Sequence, residues 1–243
     1  MKAWGFEENL QTLNALEKAY AQVGRYYHNA QHIQACSKHF EVIESKLSHP
    51  REVELALWFH DAIYKIFSSN NEKNSAQWAR DFLLTNDAAQ DAAGRVYDLI
   101  LATEHNAPAA TLEASYLVDI VLSILGINPG AALKMHFSRD SRVSSVLESS
   151  FTSCKLRLSG RCFLALTKKI LFLEVPPNVY AQFEQNIRRE YRVVPSTIYR
   201  KKRIAVLQSF LVREKIFNNE PFYSLLEAQA RVNVEGAVAR LTT

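Results

Sequence analysis

Apolar residues recur at three- and four-residue spacings along most of the chain, the repeat that lines one face of an α-helix. On that pattern helices are predicted near residues 6–23, 29–47, 51–66, 72–84, 88–104 and 112–126, and again near 177–192, 196–217 and 221–240. The second shows the repeat best, with Ile33, Cys36, Phe40, Ile43 and Leu47 forming one stripe and His28 falling at its first turn. Pro50 suits the first turn of the third helix, where a missing N–H costs nothing. Asn70 or Asn71 suits the cap of the fourth, and Glu72 then sits at the positive end of the helix dipole. No strand pattern competes with these helices, so an all-α fold is predicted.

One stretch breaks the pattern. Between about 127 and 175 there are eight serines, and its clearest periodic part, Leu164 to Leu173, is short. From Gly130 to Val175 eight Lys or Arg face three acids, a local charge of +5 in a chain whose total is +4. The expected organisation is therefore a single helical domain over 1–243, interrupted by a basic insertion at about 127–175. With 243 residues and 48% hydrophobic content, the chain can bury a full core. Seven Gly and seven Pro are too few for the many tight turns of an all-β protein.

Cys36, Cys154 and Cys162 make an odd count without Cys-x-x-Cys spacing, which argues against a disulfide framework and a zinc knuckle and for a reducing cytoplasm. The start, Met1 to Glu8, lacks the apolar run of a signal peptide. Tyr116 to Ile127 contains Asp119 and Ser123 and is too short to span a bilayer, so no membrane association is expected. The run Arg200-Lys201-Lys202-Arg203 spreads around a helix rather than lining one face, which argues against a nucleic-acid partner.

The chemistry concentrates at His60-Asp61, inside the apolar run Ala56 to Tyr64. A buried carboxylate without a partner costs several kcal/mol, so Asp61 calls for a cation, a hydrogen-bond network or a cleft. Further donors for one cation are His28 and His32 upstream and His105 and Asp119 downstream. Ligands must converge about 2.0–2.2 Å from the ion, and neighbouring helix positions diverge by roughly 100°, so a second helix must face His60 and Asp61. His28 and His32, four apart, share one helix face if both are helical. The bland alternatives are a core histidine at 60, a local cap at Asp61 and a dipole-favoured histidine at 105. Trp58, Phe59 and Tyr64 read as core, and His39, His49 and His136 as surface.

The run Arg25-Tyr26-Tyr27-His28 to His32-Ile33, then Ala56 to Tyr64, then Asn71-Glu72 to Ser75-Ala76, resembles a bacterial branch of the HD superfamily of metal-dependent phosphohydrolases. Leu99-Ile100 to Thr103 and His105, Leu122 to Gly126, Tyr180 to Arg188-Arg189-Glu190-Tyr191, and the tail from Arg203 through Glu227 to Asn233 extend the resemblance over most of the chain outside 127–175. It implies an HD-domain helical bundle in which His28, His60 and Asp61 hold a metal. The related pattern places a last ligand where Val121 stands, and Asp119 aligns two residues earlier, about 200° around a helix. Asp119 is the remaining acid for that role.

The resemblance implies hydrolysis of a phosphate ester, a nucleotide among the options, by metal-activated water. Asp61, Glu72 and Arg25 are the expected catalytic residues, and His32, His105 and Arg25 the expected phosphate contacts. The cofactor expected is Mn, Fe, Co, Ni or Zn, with Mg less suited to a His-rich site. The alternative is a catalytically impaired HD-fold protein that binds a nucleotide or a protein partner. Apolar stripes on several helices leave a homo-oligomer open.

Overall fold

The computed structural model describes residues 9–105, 108–128 and 179–243. The expectations for His136 and for the basic stretch from 129 onward lie outside them. Among the described residues the chain is all-α, with nine α-helices and no strand. They are α1 (Leu10–Tyr20), α2 (Ala30–Ile43), α3 (Pro50–Phe59), α4 (Asn71–Thr85), α5 (Gln90–Leu101), α6 (Leu112–Leu122), α7 (Val179–Glu190), α8 (Ser196–Leu211) and α9 (Phe222–Thr242). None is long and apolar enough to cross a membrane.

α2 begins where the Asn29 side chain accepts from the N–H groups of Gln31 (2.9 Å) and His32 (3.4 Å). His28 therefore precedes the helix rather than forming its first turn. Ile33, Cys36, Phe40 and Ile43 all turn inward, with Leu47 beyond them. Each such side chain contributes roughly 1.5–3 kcal/mol by leaving water. His39, expected at the surface, is buried on the same side, its ring centroid 5.8 Å from that of Phe222. It lies three residues after Cys36 and four before Ile43, so the helical repeat carries it into the core.

α4 and α5 lie against each other, and α3 packs on both. Glu52, in the first turn of α3, is buried and takes both arms of the Arg95 guanidinium from α5 (2.6 and 2.8 Å). α6 is apolar on nearly all sides and is enclosed, with Leu117 and Ile120 fully buried. α8 and α9 pair, and α9 lies over the 3-10 turn Ser123–Gly126. That contact requires glycine. A Cβ at Gly126 would meet the Leu226 Cβ, its carbonyl oxygen at 2.7 Å and its Cα at 2.9 Å.

The two helices that fall furthest short of the ends the periodicity predicts do so because side chains elsewhere in the chain take the backbone groups that follow. α3 stops at Phe59 instead of 66, where Arg25 takes the carbonyls of Asp61 and Ala62. α8 stops at Leu211 instead of 217. Ile216 and Phe217 are fully buried past its end, and their N–H groups donate to the Glu227 carboxylate of α9. Arg203 on α8 is paired with Glu184 on α7 (2.6 Å), which places it in the helical packing.

Candidate metal centre

His60 caps α3, its N–H reaching the Ala56 carbonyl (2.9 Å), and Asp61 lies in the turn that follows. Leaving the helix at this point frees the pair from the divergence that adjacent helical positions impose. Its Nδ1 lies 2.8 Å from the Leu57 carbonyl oxygen, an acceptor only, so Nδ1 carries the proton. Nε2 is then the lone-pair nitrogen, and it faces Asp61 Oδ2 at 3.0 Å and His32 Nε2 at 3.2 Å. His32 Nε2 is 3.6 Å from the same carboxylate oxygen. The donor atoms of His32, His60 and Asp61 thus lie within 4.8 Å of one another.

Such a group of converging lone pairs is electrostatically unfavourable unless a proton or a metal ion occupies it. Burial pushes the His32 imidazole down to about 3, and the neighbouring His60 adds to the effect. Burial also opposes charge on His60, but the Asp61 carboxylate outweighs it and raises His60 above the usual range. Asp61 is held well below the usual carboxylate range against its own burial, first by His60 and then by His28. A neutral His32 and an ionised Asp61 suit a metal ion, whereas His60, favoured as imidazolium beside Asp61, has to release its Nε2 proton when an ion binds. The residues present therefore fit a divalent cation.

The turn carrying the pair is fixed from three directions. Gly24, at φ +101°, gives the chain a left-handed turn out of α1 into Arg25. The Arg25 guanidinium is buried and donates to the carbonyls of Asp61 (2.6 Å), Ala62 (2.9 Å) and His28 (3.2 Å) and to the Gln22 side chain (3.2 Å). Four of its five N–H donors are thus engaged, three on backbone oxygens and one on Gln22, which gives Arg25 a part in holding the turn beside its expected role as a phosphate contact. From α4, Ser75 Oγ accepts the Ile63 N–H (3.0 Å), while the Asn71 side chain bonds both the N–H and the carbonyl of Lys65 (2.9 and 3.0 Å). The spacing of Asn71 and Ser75, four apart, is thus a clamp on the loop after His60-Asp61. Glu72, which follows Asn71 on α4, is half-buried. Burial raises its carboxyl above the usual range, and the charges of Asp61 and Glu104 act in the same direction.

His28 approaches from the loop before α2. Its ring stacks on Tyr64 (centroids 4.2 Å apart) and lies 6.3 Å from the His32 ring, while Nδ1 is 2.7 Å from Glu190 Oε2. Glu190 Oε1 accepts the successive N–H groups of Tyr26, Tyr27 and His28 at 2.8, 2.7 and 3.0 Å, and Oε2 also accepts the Tyr64 hydroxyl. His105 follows a 3-10 turn in a left-handed conformation (φ 58°), and its carbonyl accepts from Arg213 (3.0 Å). Its Nδ1 is buried with no hydrogen-bond partner. Burial, then Arg213 and His60, push its imidazole down to about 4.

Asp119 is the expected ligand that the structure places elsewhere. It is fully buried, and its oxygens accept the backbone N–H groups of Asn218 (2.9 Å) and Asn219 (2.8 Å) and the Asn219 side chain (2.9 Å). It anchors the loop into α9 and is not brought to the cluster. Val121 packs against the core as a partly buried aliphatic residue. Glu190, which organises the whole loop bearing His28, was missed as a site residue by sequence reasoning. Its signal was its place in the run Arg188-Arg189-Glu190-Tyr191, 162 residues from its partner. No family model, curated protein or solved structure matches the chain.

Proposed function

We propose that this protein is a metal-dependent phosphohydrolase acting on a phosphate ester, nucleotides included, built on an HD-type helical bundle. The observation that carries the reading is the convergence of His32, His60 and Asp61 within 4.8 Å, with His60 Nδ1 committed to the Leu57 carbonyl. The resemblance of the His28, His60-Asp61 and Asn71-Glu72 motifs to that superfamily supports the same conclusion.

In this reading His32, expected as a phosphate contact, joins His60 and Asp61 in holding the ion, and their mixed imidazole and carboxylate donors suit Mn, Fe, Co, Ni or Zn better than Mg. When bound, such an ion supplies Lewis-acid polarisation of a phosphoryl oxygen and acidifies water. Asp61, ionised and turned toward the cluster, orients the attacking water through its carboxylate. Glu72, half-buried on α4 beside this turn, holds an imidazole or water in place. His105, kept neutral near pH 7 by burial, is the phosphate contact that the resemblance implies. Arg25 acts at one remove, fixing the backbone on which Asp61 stands.

Hydrolysis of bis(p-nitrophenyl) phosphate, p-nitrophenyl phosphate and a panel of nucleotides by protein loaded in turn with Mn, Fe, Co, Ni and Zn tests the proposal. Turnover abolished by Asp61→Asn is expected. No turnover on any substrate with any ion would remove the enzymatic reading.

Val121 supports a second reading, a nucleotide- or protein-binding protein with impaired catalysis, because an aliphatic side chain packed on the core offers no donor at that position. Binding of a nucleotide without turnover, at full metal occupancy, would favour it.

A further inference from the structure

We propose that the cleft between α7, the start of α8 and the last turns of α9 binds a soluble small molecule carrying two or more phosphoryl groups, held by Arg188, Arg200 and Arg240. None of the residues lining this cleft belongs to the metal centre, so the inference stands apart from the phosphohydrolase reading.

The helical repeat brings the lining together. Glu184 and Arg188 lie four apart on α7, Ser196, Tyr199 and Arg200 share one face of α8, and Ala237, Arg240 and Leu241 share one face of α9. They border a cleft of about 310 Å³, at the lower end of the range for small-molecule sites. Tyr199 and Ala237 are its buried apolar lining, and the guanidiniums are its polar one.

Arg188 lies across the Tyr199 ring, 4.8 Å from its centroid, and donates to the carbonyls of Tyr191 (2.7 Å) and Val194 (3.4 Å) and to the Ser196 hydroxyl (3.1 Å). Its position is therefore fixed by the fold. Arg240 turns back along α9, its Nη1 3.3 Å from where a Cβ on Gly236 would stand. The guanidiniums of Arg200 and Arg240 make no hydrogen bond or ion pair among the described residues. Glu184, the one acid among the lining residues, gives both oxygens to Arg203 (2.6 and 3.2 Å). Three guanidiniums thus share one cleft with no carboxylate left to balance them, and like charges so placed repel.

An anion offsets that repulsion, and the donors indicate which kind. A guanidinium presents a planar fork that two oxygens of one phosphate fill together. A lone carboxylate answers one such fork, whereas adjacent phosphoryl groups supply charge and oxygens for all three. The start of α8 adds to the attraction: Pro195 gives no side-chain cap to this positive end of the helix, and the Ser196 hydroxyl lines the cleft. The run Arg200-Lys201-Lys202-Arg203 then divides by register. Arg203 enters the packing with Glu184, Arg200 enters the cleft, and Lys201 and Lys202 are exposed outside its lining.

The test is isothermal titration calorimetry of inorganic pyrophosphate into the full chain at low ionic strength, with excess EDTA so that no divalent ion bridges the probe to the metal centre. Arg200→Ala and Arg240→Ala are each expected to weaken binding about tenfold, while Lys202→Ala and Asp61→Ala stay within about twofold of wild type. Inorganic phosphate is expected to bind at least about tenfold more weakly than pyrophosphate. Arg188 also holds the carbonyls that follow α7, so the exposed pair, which the fold does not use, carries the test. Wild-type protein that fails to bind pyrophosphate would overturn the inference. So would an equal loss in Lys202→Ala, the mark of diffuse attraction to a basic surface. Binding lost in Asp61→Ala would move the anion to the metal centre. Binding to vesicles containing phosphatidylinositol bisphosphate, with none to pyrophosphate, would give the cleft to a lipid headgroup and overturn the soluble ligand.

Discussion

Replacing Arg25 with methionine removes a buried cation while keeping much of its aliphatic stem. Three of the four acceptors it leaves behind are backbone carbonyls, those of His28, Asp61 and Ala62, at 3.2, 2.6 and 2.9 Å. A hydrogen bond from a charged group contributes about 1.5–3 kcal/mol, which for three gives roughly 4.5–9 kcal/mol as an upper bound. Two effects reduce that figure. Arg25 is itself desolvated, enough that burial pulls its guanidinium below the usual range, and methionine recovers that cost. The freed carbonyls also lie beside a partly open cleft, where water can reach some of them. A loss of about 3–5 kcal/mol is therefore expected, the range found when one partner of a buried charged network is removed. For a domain of typical stability, about 5–15 kcal/mol, this is a large fraction of the total. Arg25→Lys keeps the charge but cannot span three carbonyls, and falls between the wild type and the methionine variant. Urea unfolding followed by circular dichroism measures the difference, provided the slope m is unchanged between variants. A methionine variant within about 1 kcal/mol of wild type would refute the claim that Arg25 fixes the Asp61 turn.

Gly126→Ala forces a methyl group into the Leu226 backbone, so α9 must shift, and a loss of about 1–3 kcal/mol or more is expected by the same unfolding assay. Asp119→Ala strands the N–H groups of Asn218 and Asn219 and is expected to cost about 2–4 kcal/mol while leaving metal content unchanged. Loss of metal in that variant would restore Asp119 as a ligand. His39 is pushed by burial, with a smaller contribution from Lys38, from 6.5 down to about 4. Between those values the unfolded chain takes up a proton that the folded chain does not, so stability falls as pH drops through that window, at up to about 1.4 kcal/mol per pH unit. His39→Gln is expected to flatten that part of the stability–pH curve, and an unchanged slope would count against burial of a neutral ring.

Helices were legible where the fold depends on local periodicity. The stripe from Ile33 to Leu47 marked the buried face of α2, and the same count of threes and fours would have placed His39 inside had its polarity not suggested otherwise. Helix ends were less legible because distant side chains set them. Nothing within residues 51–66 announces that Arg25 will take the carbonyls of Asp61 and Ala62. Nothing within 196–217 announces that Glu227 will take the N–H groups of Ile216 and Phe217. The site divides in the same way. His60-Asp61 stood out as polar residues in an apolar run, and His32 was marked by its position four after His28. Asp119 carried the same signal as a ligand, a buried acid among aliphatic residues, yet its partners are loop N–H groups about a hundred residues away. Glu190 could be recognised as part of a motif, but its pairing with His28 is a property of the folded chain alone.

The proposed chemistry requires that His32, His60 and Asp61 hold an ion. The most direct measurement is transition-metal content per chain by inductively coupled plasma mass spectrometry, on protein purified without chelator, for the wild type and Asp61→Ala. About one equivalent or more in the wild type, lost in the variant, is the result expected. A wild-type protein that stays empty after reconstitution with each of Mn, Fe, Co, Ni and Zn would contradict it.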